Sequence, residues 1–287
     1  MSEFGSVSIL VNTCDAYADA WPMFFYLLKE NWPGHLPKVY LNTESLSYVT
    51  DDLEVNVLNV CNHSNAQMPW GRRLLDCLSR IDSDYVLLLL EDFYFEREIP
   101  VKVISECIRL LDSNVMISHI QLVPAAECMT MNDYKNDIIP GLVERQRFAR
   151  WRIIAGPTLW RKSDLIRLTF SKDSPWSWEF AGTRRTWLYH KIIYCWHDQK
   201  DNPIFDYDII HGGAIHRGKW VGYKMKELEA KYNVAIEYGN REIENDWLID
   251  YTVNKVNLVK KVYGYILRRI KTIPDLIYGF ILNFRNS

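Results

Sequence analysis

The stretch YVLLLLEDFYF, residues 85–95, decides the predicted fold because a continuous apolar run passes directly into two acids. Six apolar or aromatic residues in succession are typical of a strand that is buried on both faces, as in a parallel sheet. Glu91 and Asp92 follow where such a strand would end. Ligands of open parallel sheets bind outside the carboxyl ends of the strands. The stretch therefore predicts a parallel α/β sheet with two carboxylates at its ligand-binding edge.

Segments on both sides of this run alternate between strand and helix patterns. Alternating or continuous apolar residues predict strands at residues 6–13, 38–43, 53–60 and 85–90. Apolar residues at helical spacing predict helices at residues 20–32, 70–81 and 100–113. This order predicts an α/β fold with a mostly parallel sheet flanked by helices.

The second half of the chain has a more mixed pattern, without an internal repeat. One strand is predicted at residues 147–154, and a second follows a turn at 156–157. Two more are predicted near 192–195 and 205–210. Helices are predicted at residues 162–170 and at 176–190, the second of them capped by Ser174 or Pro175.

Charge divides the chain into a body and a tail. The whole chain has a net charge of −2, yet the residues from Lys255 onward include seven basic side chains and one acid, Asp275. The body is therefore acidic, and we do not expect nucleic-acid binding. We predict an α/β domain over residues 1–240 and a helical basic tail over residues 241–287. The tail suits an amphipathic anchor on the anionic cytoplasmic membrane surface, a hairpin that packs on the domain, or a dimer contact.

Cysteine usage and the N-terminus predict a cytoplasmic location. The six cysteines show no CxxC pairing and no nearby histidine cluster, as is typical of reduced thiols. The first residues, MSEFGSVSIL, lack the basic and apolar regions of a signal peptide. No apolar run reaches the roughly 20 residues that span a bilayer, so we expect a cytoplasmic protein that is at most peripheral on the membrane.

Polar residues follow the first predicted strand at the same sheet edge. Asn12, Thr13 and Asp15 can hydrogen-bond a base or a ribose there, although Asp15 can equally cap a helix. Arg72 and its neighbour Arg73 stand near the start of a predicted helix, where an anion such as a diphosphate is favoured. A solvated arginine pair is the alternative.

The two acids after residue 90 favour a cation. Two adjacent carboxylates at a strand end suit Mg²⁺ or Mn²⁺, which can bridge to the phosphates of a nucleotide. Only one of the two can face a given pocket if the strand continues, because successive residues point to opposite faces. The alternative is that Glu91 or Asp92 caps a helix or pairs with an arginine.

Several short motifs together resemble bacterial GT-A-fold glycosyltransferases of capsule and O-antigen clusters. They are TCD after the first strand, WGRRLL, VLLLLEDFYF, GPTLWRK and PWSWE, spread over residues 6–220. The resemblance implies a nucleotide-sugar donor and an acidic motif in place of the DxD of other GT-A enzymes. Here Phe93 stands where a second metal-ligating acid is usual. Either Asp92 takes the metal, or the motif binds ribose and phosphate without one.

The resemblance also implies a carboxylate base on the acceptor side, as in inverting enzymes. Glu179 in SPWSWEF is the candidate, with Asp173 as the fallback. Trp176 and Trp178 flank Glu179, offer faces to sugar rings, and would raise its pKa by excluding water. The alternative for Glu179 is an acid in the first turn of a helix, favoured by the helix dipole.

A glycine-rich segment, HGGAIHRGKW, carries cations suited to a leaving diphosphate. His216 and Lys219 are the predicted donor-binding residues, beside Arg217 and His211. A plain surface loop is the alternative, and His197 and Asp198 receive no role.

The predicted function is transfer of a sugar from a nucleoside diphosphate donor, UDP-linked, to a hydroxyl of a glycan or a lipid-linked oligosaccharide. Two other functions stay open. The chain's 14% aromatic content suits a non-catalytic carbohydrate-binding protein as well. A nucleotidyltransferase acting on sugar phosphates would use the same sheet edge, but the first strand is not followed by a glycine-rich phosphate loop.

Overall fold

The computed structural model describes residues 6–61, 68–124, 134–197, 202–205, 213–244 and 272–284. In these residues nine strands form the main sheet, in the order β3-β2-β1-β4-β8-β5-β9-β7-β6. The strands are β1 (Val7–Asn12), β2 (Lys38–Asn42), β3 (Val55–Val57), β4 (Tyr85–Leu89), β5 (Ile117–Gln121), β6 (Tyr134–Ile139), β7 (Leu142–Arg145), β8 (Thr158–Arg161) and β9 (Ile192–Trp196).

Helices and a small second sheet complete the described residues. The helices are α1 (Trp21–Asn31), α2 (Trp70–Leu78), α3 (Val101–Ser113), α4 (Lys162–Leu168), α5 (Pro175–Ser177), α6 (Thr183–Leu188), α7 (Gly222–Tyr232) and α8 (Ile273–Phe284). A 3₁₀ segment at Asp15–Ala20 precedes α1, and a π-helical turn at Trp178–Gly182 joins α5 to α6. The small sheet contains β10 (Ile215–His216), β11 (Lys219–Val221) and β12 (Ile243–Glu244).

The predicted α/β fold is confirmed. Strands β3, β2, β1 and β4 are parallel neighbours, and only β7 and β8 of the nine described strands run against the common direction. Every residue of β1 and β4 is buried. Alternate residues of these strands face two hydrophobic layers, one containing α1 and α3 and the other containing α2 and Trp160. Burial on both faces explains the continuous apolar run.

One predicted strand is wrong. Residues 147–154 are irregular, and Trp151 has a positive φ of 54° that a strand does not accommodate. Buried side chains, rather than a neighbouring strand, form hydrogen bonds with the backbone carbonyl groups in and directly before this region. Arg152 donates to the carbonyl oxygens of Arg145 and Gln146, and His119 contacts the carbonyl oxygen of Arg152 at 2.7 Å. Local polar bonds therefore override the strand pattern.

Three strands of the main sheet, β5, β6 and β7, were not predicted. Strand β5 reads ISHIQ, and its polar residues Ser118, His119 and Gln121 are fully buried. His119 stacks on Trp160 with ring centroids 3.8 Å apart, and burial lowers the pKa of His119 to about 3. A strand that buries polar residues lacks the apolar pattern that sequence reasoning requires.

The chain after residue 240 contributes to the body. Strand β12 pairs with β11, so the segment that begins at Arg241 belongs structurally to the small sheet. Helix α8 packs on α6, where a methyl group on Gly279 would lie 2.0 Å from the carbonyl oxygen of Arg185. Most of the predicted tail, and the predicted strand residues 206–210, lie outside the described residues. In the part of the chain that the structure describes, every helix is too short or too polar to cross a bilayer.

Candidate active site

The acidic pair Glu91–Asp92 lies directly beyond the carboxyl end of β4, as predicted. Glu91 is buried, and burial raises its pKa, with the negative charge of Asp92 raising it further. Burial also raises the pKa of Asp92, although Lys224 and Arg241 partly oppose this. Atom Oδ1 of Asp92 is buried and has no hydrogen-bond partner among the described residues. Neither acid caps a helix or forms an ion pair within that part of the chain, which is unusual for a buried acid such as Glu91.

The segment from Gly213 packs against this pair. The Ala214 N–H donates to the carbonyl oxygen of Asp92 at 2.7 Å. A methyl group on Gly213 would lie 2.3 Å from that oxygen and 2.8 Å from Cγ of Asp92, so only glycine is accommodated here. Lys224 of α7 forms a 2.8 Å ion pair with Glu96. The small sheet and α7 thereby cover the end of β4.

Thr13 lies at the end of β1, next to the acidic pair. Its Oγ1 accepts a hydrogen bond from Nε1 of Trp21 at 3.0 Å, and a hydrogen bond to Glu91 favours the charged form of that acid. Asn12, one residue earlier, accepts from the side chain of Asn42 on β2. The polar ends of β1, β2 and β4 therefore meet at one edge, where the sequence predicts those of β1 and β4.

Asp15 braces the segment that follows β2. Its carboxylate accepts hydrogen bonds from the backbone N–H groups of Glu44 and Ser45, both at 2.9 Å, and from the Ser45 hydroxyl at 2.6 Å. Burial would raise the pKa of Asp15, but these bonds outweigh burial and lower it. Asp15 thus holds two strand ends together, and its contact with a nucleoside stays a prediction.

A cavity of about 550 Å³ opens between the 3₁₀ segment after β1 and the β10–β11 turn. Its lining includes the predicted residues Asp15 and Lys219, together with Arg217 and Arg241. Its polar walls come from segments more than 190 residues apart, so only tertiary structure assembles it.

Arg241 is the site residue that sequence reasoning missed. Its guanidinium forms 2.9 Å bonds to both carboxylate oxygens of Asp19, donates to the carbonyl oxygens of Ala16 and Gly218, and lies 4.5 Å from the ring centroid of Tyr17. Its charge also lowers the pKa values of Glu91 and Asp92. No local motif marks it, because Asp19 is 222 residues away.

The arginine at the strand edge is Arg73, whereas Arg72, for which a donor-binding role was predicted, points to solvent. Arg72 is 57% exposed and pairs with Asp76 one helical turn later, at 3.1 Å. Arg73 is buried, donates to the carbonyl oxygen of Thr13 at 3.1 Å and lies 3.5 Å from Glu44. Adjacent helix positions point about 100° apart, so only one of the two faces the site.

Glu179 approaches the same edge from the π-helical turn. Its Oε1 accepts a hydrogen bond from the Ala155 N–H at 2.8 Å, and burial raises its pKa against that bond. Ala155 and Gly156 lead into β8, whose Thr158 pairs with Leu88 near the carboxyl end of β4. A methyl on Gly156 would lie 3.5 Å from the ring of Phe93. Ala155, which binds Glu179, and Gly156, which lies beside Phe93, thus connect Glu179 with the acidic pair near the carboxyl end of β4.

Two side chains with predicted roles near Glu179 make contacts inside the protein. Trp178 is fully buried between Trp70 and Trp160, with ring centroids 5.4 and 5.8 Å away, so it offers no face to a sugar. Asp173, the fallback base, is held at 2.6 and 2.8 Å by the buried guanidinium of Arg185. Trp176 is 80% exposed and keeps an open face.

His216 and Lys219 face each other in register across the β10–β11 pair. Lys219 is 44% exposed and pairs with Glu242 at 2.9 Å and Glu244 at 3.7 Å. His211 and Asp198 lie outside the described residues. Within the described ranges, no three metal-ligating side chains converge. The acidic pair can still supply one or two oxygens to Mg²⁺ or Mn²⁺, which usually keep waters and substrate phosphates as the other ligands.

Comparisons with known proteins give distant likenesses. No protein-family model and no curated protein sequence matches the chain. Residues 1–349 of Staphylococcus aureus TarS match with a TM-score of 0.47 and 11% identity, over 67% of this chain and 58% of that one. The same fragment in complex with UDP matches with a TM-score of 0.45 and 13% identity, over 67% and 58%. The bifunctional IspDF of Campylobacter jejuni matches with a TM-score of 0.36 and 13% identity, over 70% and 51%. This chain thus spans less than two thirds of each of these proteins, and the likenesses do not assign it a ligand.

Proposed function

We propose that the protein is a GT-A-like glycosyltransferase that moves a sugar from a UDP-linked donor to a hydroxyl of a glycan or a lipid-linked oligosaccharide. The observation that carries this proposal is the acidic pair at the carboxyl end of β4, in which Glu91 and the Oδ1 atom of Asp92 are buried without an ion-pair partner among the described residues. The sequence resemblance to capsule and O-antigen enzymes agrees with it.

The acidic pair suits a divalent cation in its charge and position. Two adjacent carboxylates, one buried and one half-buried, repel each other, and an ion of opposite charge would offset both burial and repulsion. Asp92, with its buried Oδ1, and Glu91 would hold Mn²⁺ or Mg²⁺. When bound, such an ion would neutralise the charge that develops on the leaving diphosphate.

The 550 Å³ cavity has the size for the donor, and its lining contains three basic and three acidic side chains. Ligand sites of this kind commonly measure about 300–1,000 Å³. Lys219 and Arg217 line it and would face the diphosphate, with His216 beside them. Thr13 and Asp15, at the end of β1, would meet the nucleoside.

Glu179 is proposed as the base, with Trp176 as an acceptor-binding face. The carboxylate would take the proton of the acceptor hydroxyl while that oxygen bonds to the anomeric carbon. The bond between that carbon and the diphosphate oxygen breaks with its electron pair leaving on the diphosphate. A single displacement of this kind inverts the anomeric configuration. The raised pKa of Glu179 suits proton transfer, because an ordinary carboxylate is a weaker base.

Calorimetric titration with UDP, in the presence and absence of Mn²⁺, tests the donor site. We expect UDP to bind, and Mn²⁺ to tighten binding if the acidic pair holds the ion. Sugar binding without UDP binding would instead support a carbohydrate-binding protein. Formation of a nucleotide sugar from a nucleoside triphosphate and a sugar phosphate would support a nucleotidyltransferase. NMR of the transfer product tests the base separately, since retained configuration would remove Glu179 from that role.

A further inference from the structure

Helix α8 presents two chemically different faces. One face carries the buried residues Asp275, Gly279 and Leu282. The opposite face carries large apolar side chains that are between 42 and 54% exposed, namely Ile273, Ile277, Phe280 and Ile281. Their spacing along the helix, at positions i, i+4, i+7 and i+8, places them in one stripe.

The buried face holds the helix in a single orientation. Asp275 forms a 2.7 Å ion pair with Arg185, and Tyr278 donates to the carbonyl oxygen of Arg167 at 3.1 Å. At the other end, Asn283 accepts from the His190 N–H at 2.7 Å and donates to the carbonyl oxygen of Leu188 at 2.6 Å. The apolar stripe therefore points away from the domain.

The outward face carries no charge. Asp275 is the one charged residue of α8, and its carboxylate is used inside the protein by Arg185. Helices on protein surfaces normally expose charged or polar side chains, and a helix that is apolar on all sides is normally covered. A contiguous exposed apolar stripe marks an interaction surface.

Basic residues precede the stripe in the sequence and also lie near the far end of α8. Residues 255–271, directly before α8, contain six basic residues and no acid: Lys255, Lys260, Lys261, Arg268, Arg269 and Lys271. At the far end of α8, His190 lines a cavity of about 190 Å³ together with Arg147 and Lys191. The surface that covers the stripe should therefore be both apolar and negatively charged.

We infer that α8 docks the protein on an anionic lipid bilayer, with the stripe in the acyl boundary and the cations against headgroup phosphates. Twelve residues extend only about 18 Å along a helix, so α8 lies on the surface rather than spanning it. A two-fold dimer through this face would set the same cations against each other, which makes a second copy the less favourable occupant.

Flotation of the full chain with vesicles tests this surface. We expect binding to phosphatidylcholine vesicles that contain phosphatidylglycerol, weak binding to phosphatidylcholine alone, and release by added salt. The double substitution Ile277→Ser and Phe280→Ser should weaken binding about tenfold or more, because two apolar anchors are lost. Leu46→Ser with Val49→Ser is the matched control, since both side chains are exposed on the β2–β3 segment.

Two results would overturn the inference. One is equal flotation of the α8 double variant and the wild type. The other is absence of vesicle binding by the wild type. In that case, sedimentation of the wild type as a dimer that the α8 substitutions dissociate would make a second copy the occupant, and sedimentation as a monomer would leave the stripe without either occupant. Thermal unfolding of both variants checks that the fold is kept. Vesicle binding requires no sugar transfer, so its failure would leave the proposed function untouched.

Discussion

Two pairs of carboxylates in this protein have opposite surroundings. Asp173 and Asp275 share the guanidinium of Arg185, with contacts of 2.6 to 2.8 Å, in the layer between α6 and α8. Glu91 and Asp92 stand at the carboxyl end of β4 and have no ion-pair partner among the described residues. At the first site every acid is paired, whereas at the second the Oδ1 atom of Asp92 has no hydrogen-bond partner among the described residues.

The difference separates a structural acid from a candidate functional one. Arg185 also lies 3.6 Å from the ring centroid of Phe170, so it is fixed by aromatic as well as ionic contacts. Burial lowers the pKa of Arg185, but the hydrogen bonds and charges of Asp173 and Asp275 outweigh burial and raise it. The acidic pair after β4 instead has raised pKa values because burial disfavours its charges. Carboxyl groups with raised pKa values of this kind are common at functional sites, where a ligand interacts with them.

The largest effect is expected from breaking the first site. Arg185→Leu leaves two buried acids without their cation and should lower the free energy of unfolding by about 3–5 kcal/mol. Denaturant-induced unfolding measures this. Arg72→Leu is the matched control, because its exposed pair with Asp76 should contribute about 0.5 kcal/mol or less. Equal losses in the two variants would show that Arg185 has no special structural role.

The next largest effect is expected at the second site, on activity. Asp92→Asn should lower the rate of sugar transfer by about 10² to 10³, the usual range for loss of one preorganised electrostatic group. Stability should stay equal or rise, because the amide carries no charge to bury. Asp84→Asn, at the exposed amino end of the same strand, is the control. A strongly destabilised Asp92→Asn protein with normal activity would make Asp92 a structural acid.

The smallest effect is expected in the pH dependence of stability. Raised pKa values mean that the folded state binds more protons than the unfolded state above about pH 4, the ordinary range of carboxyl groups. The stability contributed by protonation is therefore lost as pH rises through the raised pKa values of the pair. Asp92→Asn should flatten this decline relative to wild type. Denaturation curves of both proteins at about pH 5 and about pH 8 measure it, and parallel declines would contradict the assignment.

Local pattern was sufficient for some parts of the site and not for others. The position of Glu91 and Asp92 followed from the apolar run alone, because such a run marks a strand buried on both faces and the two acids come directly after it. The choice between Arg72 and Arg73 depended on how α2 is rotated about its axis relative to the sheet, and two adjacent arginines in the sequence do not indicate that rotation. Trp178 looked like an exposed aromatic but is buried in the core, since helix α2 and strand β8 place Trp70 and Trp160 on either side of it.

The sequence by itself determined the α/β class, the order of the first strands and helices, and the acids at the end of β4. These features depend on periodicity and on contacts between near neighbours in the chain. Only the tertiary structure decided that Arg241 joins Asp19, that Arg185 neutralises Asp173, and that α8 turns its apolar stripe outward. Such contacts join residues far apart in the chain, and their partners are chosen by packing geometry, which no local pattern encodes.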